Sequence, residues 1–119
     1  MFEKLQQELD IKFDNLKLLK RAFTHRSYLN ENRQKKLRSN ERLEFLGDAV
    51  LELWATQHLF YLYPQKPEGK LTNIRSAIVC TQSLAKEADK LSLGQHLLLS
   101  KGESRGGGRD NPSILADTF

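Results

Sequence analysis

Hydrophobic residues recur at helical spacing along most of this chain. The apolar positions between Leu5 and Ile11 predict a short first helix, and those between Leu16 and Phe23 predict a second, for which Asp14 is a candidate N-cap. The following segment, residues 30–38, is polar and is predicted to be a loop.

A long helix is predicted in the middle of the chain. Ser39 or Asn40 can cap its start, and its apolar pattern continues to about Tyr63 before Pro64 and Pro67 break it. Apolar residues occupy most of its circumference, which is typical of a helix at the centre of a domain.

The remainder of the chain is also predicted to be mostly helical. One helix is predicted over residues 71–78, another from a cap at Thr81 to near Gly94, and a third after Pro112. Residues 101–109 hold four of the seven glycines and are predicted to form a mobile loop. Apolar and polar residues do not alternate over any strand-length segment, so the predicted fold class is all-α in one domain.

Acidic residues interrupt the apolar pattern of the long helix at intervals of three and four. Glu41, Glu44, Asp48 and Glu52 share one stripe of its surface. Like charges at this spacing repel by a few tenths of a kcal/mol even in water, and crowding them in a partly dry site costs more. A divalent metal would resolve this repulsion. The alternative is a hydrated stripe that makes salt bridges, with candidate partners Arg42, Lys70 and Arg75.

The charge distribution favours a polyanionic partner. The 119 residues carry a formal net charge of +4. One basic cluster precedes the acidic helix and another lies in the glycine-rich segment; their members are Arg33, Lys35, Lys36 and Arg38, and Lys101, Arg105 and Arg109. These segments could bind phosphates around a metal site, or they could be two solvated loops.

The single cysteine and the first residues of the chain predict a location in the cytoplasm. Cys80 cannot form an intrachain disulfide, which is typical of a protein from the reducing cytoplasm. The first residues lack an apolar stretch of signal-peptide length, and no segment is long and apolar enough to span a membrane.

Several other side chains invite a structural interpretation. A lone His25 beside aromatic residues is expected to be a hydrogen-bonding residue, and Cys80 a small core residue. Gly47 is expected to permit close approach of a neighbouring helix or a ligand. The aromatic residues along the long helix are expected to serve core or dimer packing rather than base stacking; they are Trp54, Phe60, Tyr61 and Tyr63.

The segment Asn40–Leu51, which contains the acidic stripe, resembles the signature of the ribonuclease III family. Further pieces resemble the family in the same order along the chain. They are Thr24–Tyr28, Glu68–Thr72 with Arg75, Lys101–Glu103 and Ser113–Asp117.

This resemblance implies the all-α, dimer-forming endonuclease domain of that family over residues 1–119. It implies a homodimer that hydrolyses double-stranded RNA with Mg²⁺, for which Mn²⁺ can substitute, in processing ribosomal, messenger and other structured RNA precursors. Matched position by position, Glu44 and Asp117 are metal ligands, Asp48 is the catalytic acid, and Glu41 and Glu68 line the cleavage valley. The candidate contacts to the RNA backbone are Lys35, Lys36, Arg105 and Arg109.

The chain departs from the family pattern at its end. The family places a further metal-binding glutamate immediately after the position of Phe119, then an apolar helix and a double-stranded-RNA-binding domain. We therefore expect a truncated nuclease domain that is inactive or impaired by itself. The alternative function is a non-catalytic RNA-binding or scaffolding module with the same fold.

Overall fold

The chain forms eight α-helices joined by short turns, and the computed structural model describes residues 1–119. The only strand-like contact is an isolated parallel bridge between Thr24 and Leu98, so the all-α prediction is confirmed. The helices are α1 (Glu3–Leu9), α2 (Leu16–Ala22), α3 (Arg26–Glu31), α4 (Glu41–Leu62), α5 (Glu68–Val79), α6 (Thr81–Lys90), α7 (Lys101–Arg105) and α8 (Pro112–Thr118). Single 3-10 turns lie at Arg33–Lys35, Leu93–His96 and Gly108–Asp110.

Two of the predicted capping residues are wrong. Asn15, not Asp14, caps α2, because its side-chain oxygen accepts a hydrogen bond from the Leu18 amide at 3.0 Å. A cap must stand immediately before the first helical residue to reach this amide, and Asp14 is one residue too early. Thr81 is likewise the first residue of α6 rather than its cap.

Two predicted loops are partly helical. Helix α3 overlaps the start of residues 30–38, and its short polar sequence carries no repeating apolar signal. Residues 101–109 form α7 and most of the last 3-10 turn. A Cβ at Gly108 would lie 2.8 Å from the carbonyl oxygen of Glu103, so this glycine serves close packing.

The core brings together helices that are distant in sequence. Twelve buried residues form one cluster, and they come from α1, α2, α6, α8 and the segment 93–99, with Phe2 just before α1 and Phe23 just after α2. Leu5 and Leu97 are its most buried large side chains. None of the twelve residues belongs to α4 or α5, although α4 is the longest helix.

Helices α4 and α5 instead form a hairpin that extends from this core. The only buried side chains of α4 are Ala55 and Leu59, both in its second half. The radius of gyration is 16.1 Å, whereas a compact domain of this length has about 13.5 Å. The prediction that α4 is central to the chain is therefore wrong, because too few other elements surround it. None of the eight helices combines the length and the hydrophobicity that a membrane-spanning helix needs.

Candidate metal and RNA site

An open cavity of about 500 Å³ lies between the first half of α4 and the end of α8. Glu44, Asp48 and Asp117 lie on its wall, and the same three acids line a smaller adjoining cavity. Most of the other lining side chains are apolar, so the acids form the charged part of a largely apolar surface.

Local sequence explains how two helices present these acids. Glu44 and Asp48 are four residues apart on α4 and therefore project from the same face. Asp117 is on α8, where Asn111 caps the helix by accepting hydrogen bonds from the amides of Ser113 and Ile114 at 2.9 and 3.3 Å. Residues 114–116 of α8 are buried in the core, which leaves Asp117 at the cavity.

Burial and mutual repulsion raise the pKa of two of these acids. Partial burial raises the pKa of Glu44, and the charges of Asp117, Asp48 and Glu41 raise it further. Burial also raises the pKa of Asp117, as does the charge of Asp48, whereas the nearby His25 lowers it. The acids predicted from the sequence to act together therefore interact electrostatically across two helices.

The donor set suits a hard divalent cation. Carboxylate oxygens are the ligands that Mg²⁺ prefers, and this ion keeps several waters, so one or two protein carboxylates are enough. No group of three or more His, Cys, Asp or Glu side chains converges tightly enough to enclose an ion. The cavity thus offers carboxylates to a partly hydrated cation.

The remaining acids are placed differently. Glu41 accepts a hydrogen bond from Ser39 Oγ at 3.2 Å and lies 3.9 Å from Arg26, outside the cavity. Glu68 begins α5, whereas Val79 at the other end of α5 adjoins Asp48 in the smaller cavity. Val79 lies eleven positions after Glu68, which is about 16 Å along a helix. The structure therefore keeps Glu68 away from the other acids within one chain.

Glu52 also lines the smaller cavity, but its carboxylate takes part in the α4–α5 contact. Its carboxylate lies 3.7 Å from Nε of Arg75, and Nη1 of Arg75 donates to Thr56 Oγ1 at 2.9 Å. Arg75 was one of three predicted salt-bridge partners, and this ion pair is confirmed. The other two, Arg42 and Lys70, form none.

The two basic segments are tied together in space. The Glu31 carboxylate accepts hydrogen bonds from the Lys101 amide at 3.0 and 3.1 Å, and Ser27 Oγ accepts one from the Ser100 amide at 3.0 Å. These contacts link α3, next to the first basic segment, to the start of α7. The candidate RNA contacts Lys35, Lys36 and Arg105 are exposed.

Arg109 differs from these three because its side chain bonds to the chain itself. Its Nη1 donates to the carbonyl oxygens of Gly94 and Leu97, both at 2.9 Å, and to that of Gln95 at 3.4 Å. This nitrogen therefore has little capacity left for a phosphate, and these partners were not predicted from the sequence.

The structural interpretation is confirmed for His25 and wrong for Cys80. His25 Nδ1 accepts a hydrogen bond from the Ser27 amide at 3.2 Å, and the His25 amide donates to Leu98 O at 3.1 Å, which confirms its structural hydrogen bonding. Cys80 is exposed between α5 and α6, so the prediction of a core residue is wrong. The hydroxyl of Ser83 forms a hydrogen bond with the Cys80 thiol and lowers the pKa of that thiol.

Gly47 and the aromatic residues of α4 face open space within this chain. A Cβ at Gly47 would meet no atom within 4 Å, so close helix packing does not explain this glycine here. Trp54, Phe60 and Tyr61 are exposed by 56%, 63% and 72%, so they do not pack in the core of this chain.

Asn40 has a role that was not predicted from the sequence. It is 7% exposed, lines the cavity and donates from its side chain to the carbonyl oxygen of Ala22 at 3.0 Å. Its position before the acidic helix was visible in the sequence, but its partner, eighteen residues earlier, was not.

Known proteins share this sequence and this arrangement. A family model described as Ribonuclease-III-like matches residues 15–119. The protein named Ribonuclease 3 from Bacillus cytotoxicus is 57% identical over 118 residues, which cover 99% of this chain and 48% of that protein. Ribonuclease 3 from Geobacillus thermodenitrificans is 55% identical with the same coverage. The chain thus spans about half the length of these curated relatives.

Solved structures extend the similarity to three dimensions. A nuclease domain of ribonuclease III from Campylobacter jejuni, described for structural flexibility in a region involved in dimer formation, superposes with a TM-score of 0.90 at 44% identity. The match covers 99% of this chain and 78% of that one. A second structure of that nuclease domain gives a TM-score of 0.87 at 45% identity, over 98% of this chain and 75% of that one. Family model, sequence and fold agree, and the chain belongs to the ribonuclease-III-like family.

Proposed function

We propose that the complete protein is an endoribonuclease that hydrolyses phosphodiester bonds in double-stranded RNA by a divalent-metal mechanism. The observation that carries this proposal is the convergence of Glu44, Asp48 and Asp117 on one cavity from two helices. Crowding these acids costs free energy, as the raised pKa values of Glu44 and Asp117 indicate. The names of the curated relatives point to the same activity.

Each acid has a role in this proposal. Glu44 on α4 and Asp117 on α8 would hold the cation, and Asp48, one turn from Glu44, would add to the charge that attracts it and orient the water that attacks the phosphate. When bound, Mg²⁺ supplies an activated water and stabilises the leaving oxygen, and Mn²⁺ can substitute for it. Glu41 and Glu68 line the valley through which the RNA passes.

The basic segments hold the RNA. Lys35 and Lys36 on one segment and Arg105 on the other are exposed, and the contacts of Glu31 to Lys101 keep the segments adjacent. Duplex RNA is recognised mostly by its shape, phosphates and 2′-hydroxyls, so lysine and arginine are suitable contacts. The substrates in this proposal are ribosomal, messenger and other structured RNA precursors in the cytoplasm.

A second copy of the protein covers α4 in this proposal. Phe45 is exposed by 81% and Leu53 by 70%, and both are apolar residues on a helix with few neighbours. Soluble monomers rarely expose a continuous apolar surface of this kind. The Campylobacter jejuni nuclease domain is described as forming a dimer, which favours a homodimer here.

Cleavage of a paired RNA tests the proposed activity. The complete protein should cut a duplex in Mg²⁺, leave the separated strands intact and stop when a chelator is added. Asp48→Asn should reduce the cleavage rate by about 10²–10³-fold, because it removes charge at the reacting centre, with duplex binding retained. The matched control is Asp89→Asn, since Asp89 is an exposed acid of α6 away from the cavity.

Duplex binding without metal-dependent cleavage by the complete protein would contradict the proposal. That result would favour the non-catalytic RNA-binding module. Unchanged cleavage by Asp48→Asn would instead retain the nuclease and refute the role of Asp48.

A further inference from the structure

Three polar contacts hold the start of α4 against the end of α2. The Asn40 side-chain amide donates to the Ala22 carbonyl at 3.0 Å, and its backbone amide donates to the Thr24 carbonyl at 2.9 Å. Nε of Arg21 donates to the Ser39 carbonyl at 3.0 Å. We call these contacts the α2–α4 junction.

Asn40 is used differently from most asparagines at a helix start. Its oxygen would normally accept a hydrogen bond from an amide of the first helical turn, but its side chain makes no such cap. Instead, Ser39 Oγ accepts a hydrogen bond from the Glu41 amide at 3.4 Å. The Asn40 carbonyl accepts from the Glu44 amide at 2.8 Å. Asn40 thus joins the turn that carries Glu44 directly to α2.

This junction matters because apolar packing does not fix the first half of α4. The buried residues of the helix, Ala55 and Leu59, are both in its second half. Asp117 is on α8, which packs into the core together with Leu19 of α2. Glu44 and Asp117 therefore belong to two separately packed parts of the molecule, and the junction is a polar link between those parts next to Glu44.

We propose that Asn40 is a positioning residue for the acidic site. Its hydrogen bond to Ala22 holds the first turn of α4 against the core and so sets the separation of the Glu44 and Asp117 carboxylates. Both Asn40 and Ala22 border the cavity that these acids share. The inference rests on the proposed function, because it takes these acids to hold a divalent cation, and it assigns Asn40 no contact with cation or RNA.

Direct metal binding tests this role without relying on cleavage. Mn²⁺ is titrated into the complete protein without RNA, and the free ion is followed by electron paramagnetic resonance. Asn40→Ala should raise the Kd for Mn²⁺ by about tenfold or more, the usual effect of losing a group that orients metal ligands. Cleavage by this variant should recover as the Mn²⁺ concentration is raised.

Asn32→Ala is the matched control. The Asn32 side chain donates to the Tyr28 carbonyl at 2.9 Å, so this variant loses the same kind of hydrogen bond outside the α2–α4 junction. Urea unfolding should show a stability loss in both variants, but only Asn40→Ala should change the Kd. A folded Asn40→Ala protein with the wild-type Kd would overturn the inference, because its role would then be structural only.

Two further variants, Arg21→Ala and Glu44→Gln, complete the test. If Asn40→Ala fails to fold, Arg21→Ala decides, since it removes only the contact to Ser39. It should raise the Kd by a smaller factor, and an unchanged Kd would overturn the inference. Wild-type protein that binds no Mn²⁺, or binds it equally well after Glu44→Gln, would refute the proposed metal site and the role of Asn40 with it.

Discussion

Arg109 donates a hydrogen bond from Nη1 to the carbonyl oxygen of Gly94 at 2.9 Å, and the Arg109 carbonyl in turn packs directly against the Gly94 Cα. A Cβ at Gly94 would fall far inside van der Waals contact with that carbonyl. The same Nη1 also reaches the Leu97 carbonyl. Backbone therefore packs against backbone here, and this contact fixes the end of the basic segment 101–109 to the core.

Gly94→Ala should destabilise the protein by about 1–3 kcal/mol, because a backbone carbonyl cannot move aside as a flexible side chain can. Gly69→Ala is the control. Gly69 is in α5 with no atom near its Cβ position, and alanine in a helix is favoured over glycine by about 0.5 kcal/mol. Urea unfolding of both variants measures the difference. Equal stabilities would show that the close contact at Gly94 relaxes easily.

The salt dependence of RNA binding should identify which basic residues contact phosphates. Lys35→Ala and Arg105→Ala should each reduce the slope of log Kd against log salt concentration by about 1, because each removes one phosphate contact. Arg109→Ala should mainly lower stability, since its Nη1 bonds to three carbonyls.

Lys4→Ala is the control for these slopes, because Lys4 pairs with Glu8 on α1. Fluorescence anisotropy with a labelled duplex at several salt concentrations measures them. A full reduction of the slope in Arg109→Ala, with stability unchanged, would show that this arginine binds RNA instead of the chain.

Residues adjacent in sequence were the predictable part of this molecule. The acids of α4 lie at helical spacing, so their shared face followed from the periodicity, and α4 itself ends within one residue of the predicted position. The pairing of Glu52 with Arg75 was predicted only in part, because Arg75 was one of three candidate partners for the four acids of the stripe.

Long-range contacts explain most of what the sequence did not predict. The partners of Asn40 and Arg109 are backbone carbonyls, which have no signature in a sequence. The prediction that α4 is central was wrong for a related reason. An apolar circumference shows that a helix will be covered, but it does not show whether the same chain or another one covers it.

Glu44→Gln should stabilise the metal-free protein near neutral pH. The pKa of Glu44 is raised in the folded state, so folding favours its protonated form. Its contribution to stability is therefore complete below the unfolded pKa and is lost as pH rises through the higher, folded value. Glutamine removes this charge, and a gain of a few tenths of a kcal/mol is expected at this partly exposed position.

Thermal unfolding in a chelator and then in Mg²⁺ measures this effect. Mg²⁺ should stabilise the wild-type protein more than Glu44→Gln, because the variant has lost a ligand. Glu87→Gln is the control, since it removes an acid that pairs with Lys90 at 2.6 Å and should not stabilise. A Glu44→Gln protein that is less stable than wild type in chelator would mean that the cavity acids do not repel one another.

Leu53→Glu should separate the proposed dimer while leaving the monomer folded. Leu53 is 70% exposed, so within one chain the substitution costs little. In a dimer that covers α4, the new carboxylate would be buried without a partner, which costs about 3 kcal/mol or more and raises the dimer Kd at least about a hundredfold. Leu16→Glu is the control, because Leu16 is 54% exposed on α2, away from this surface. Sedimentation of the complete protein measures both variants, and an undiminished Leu53→Glu dimer would place the interface on another face.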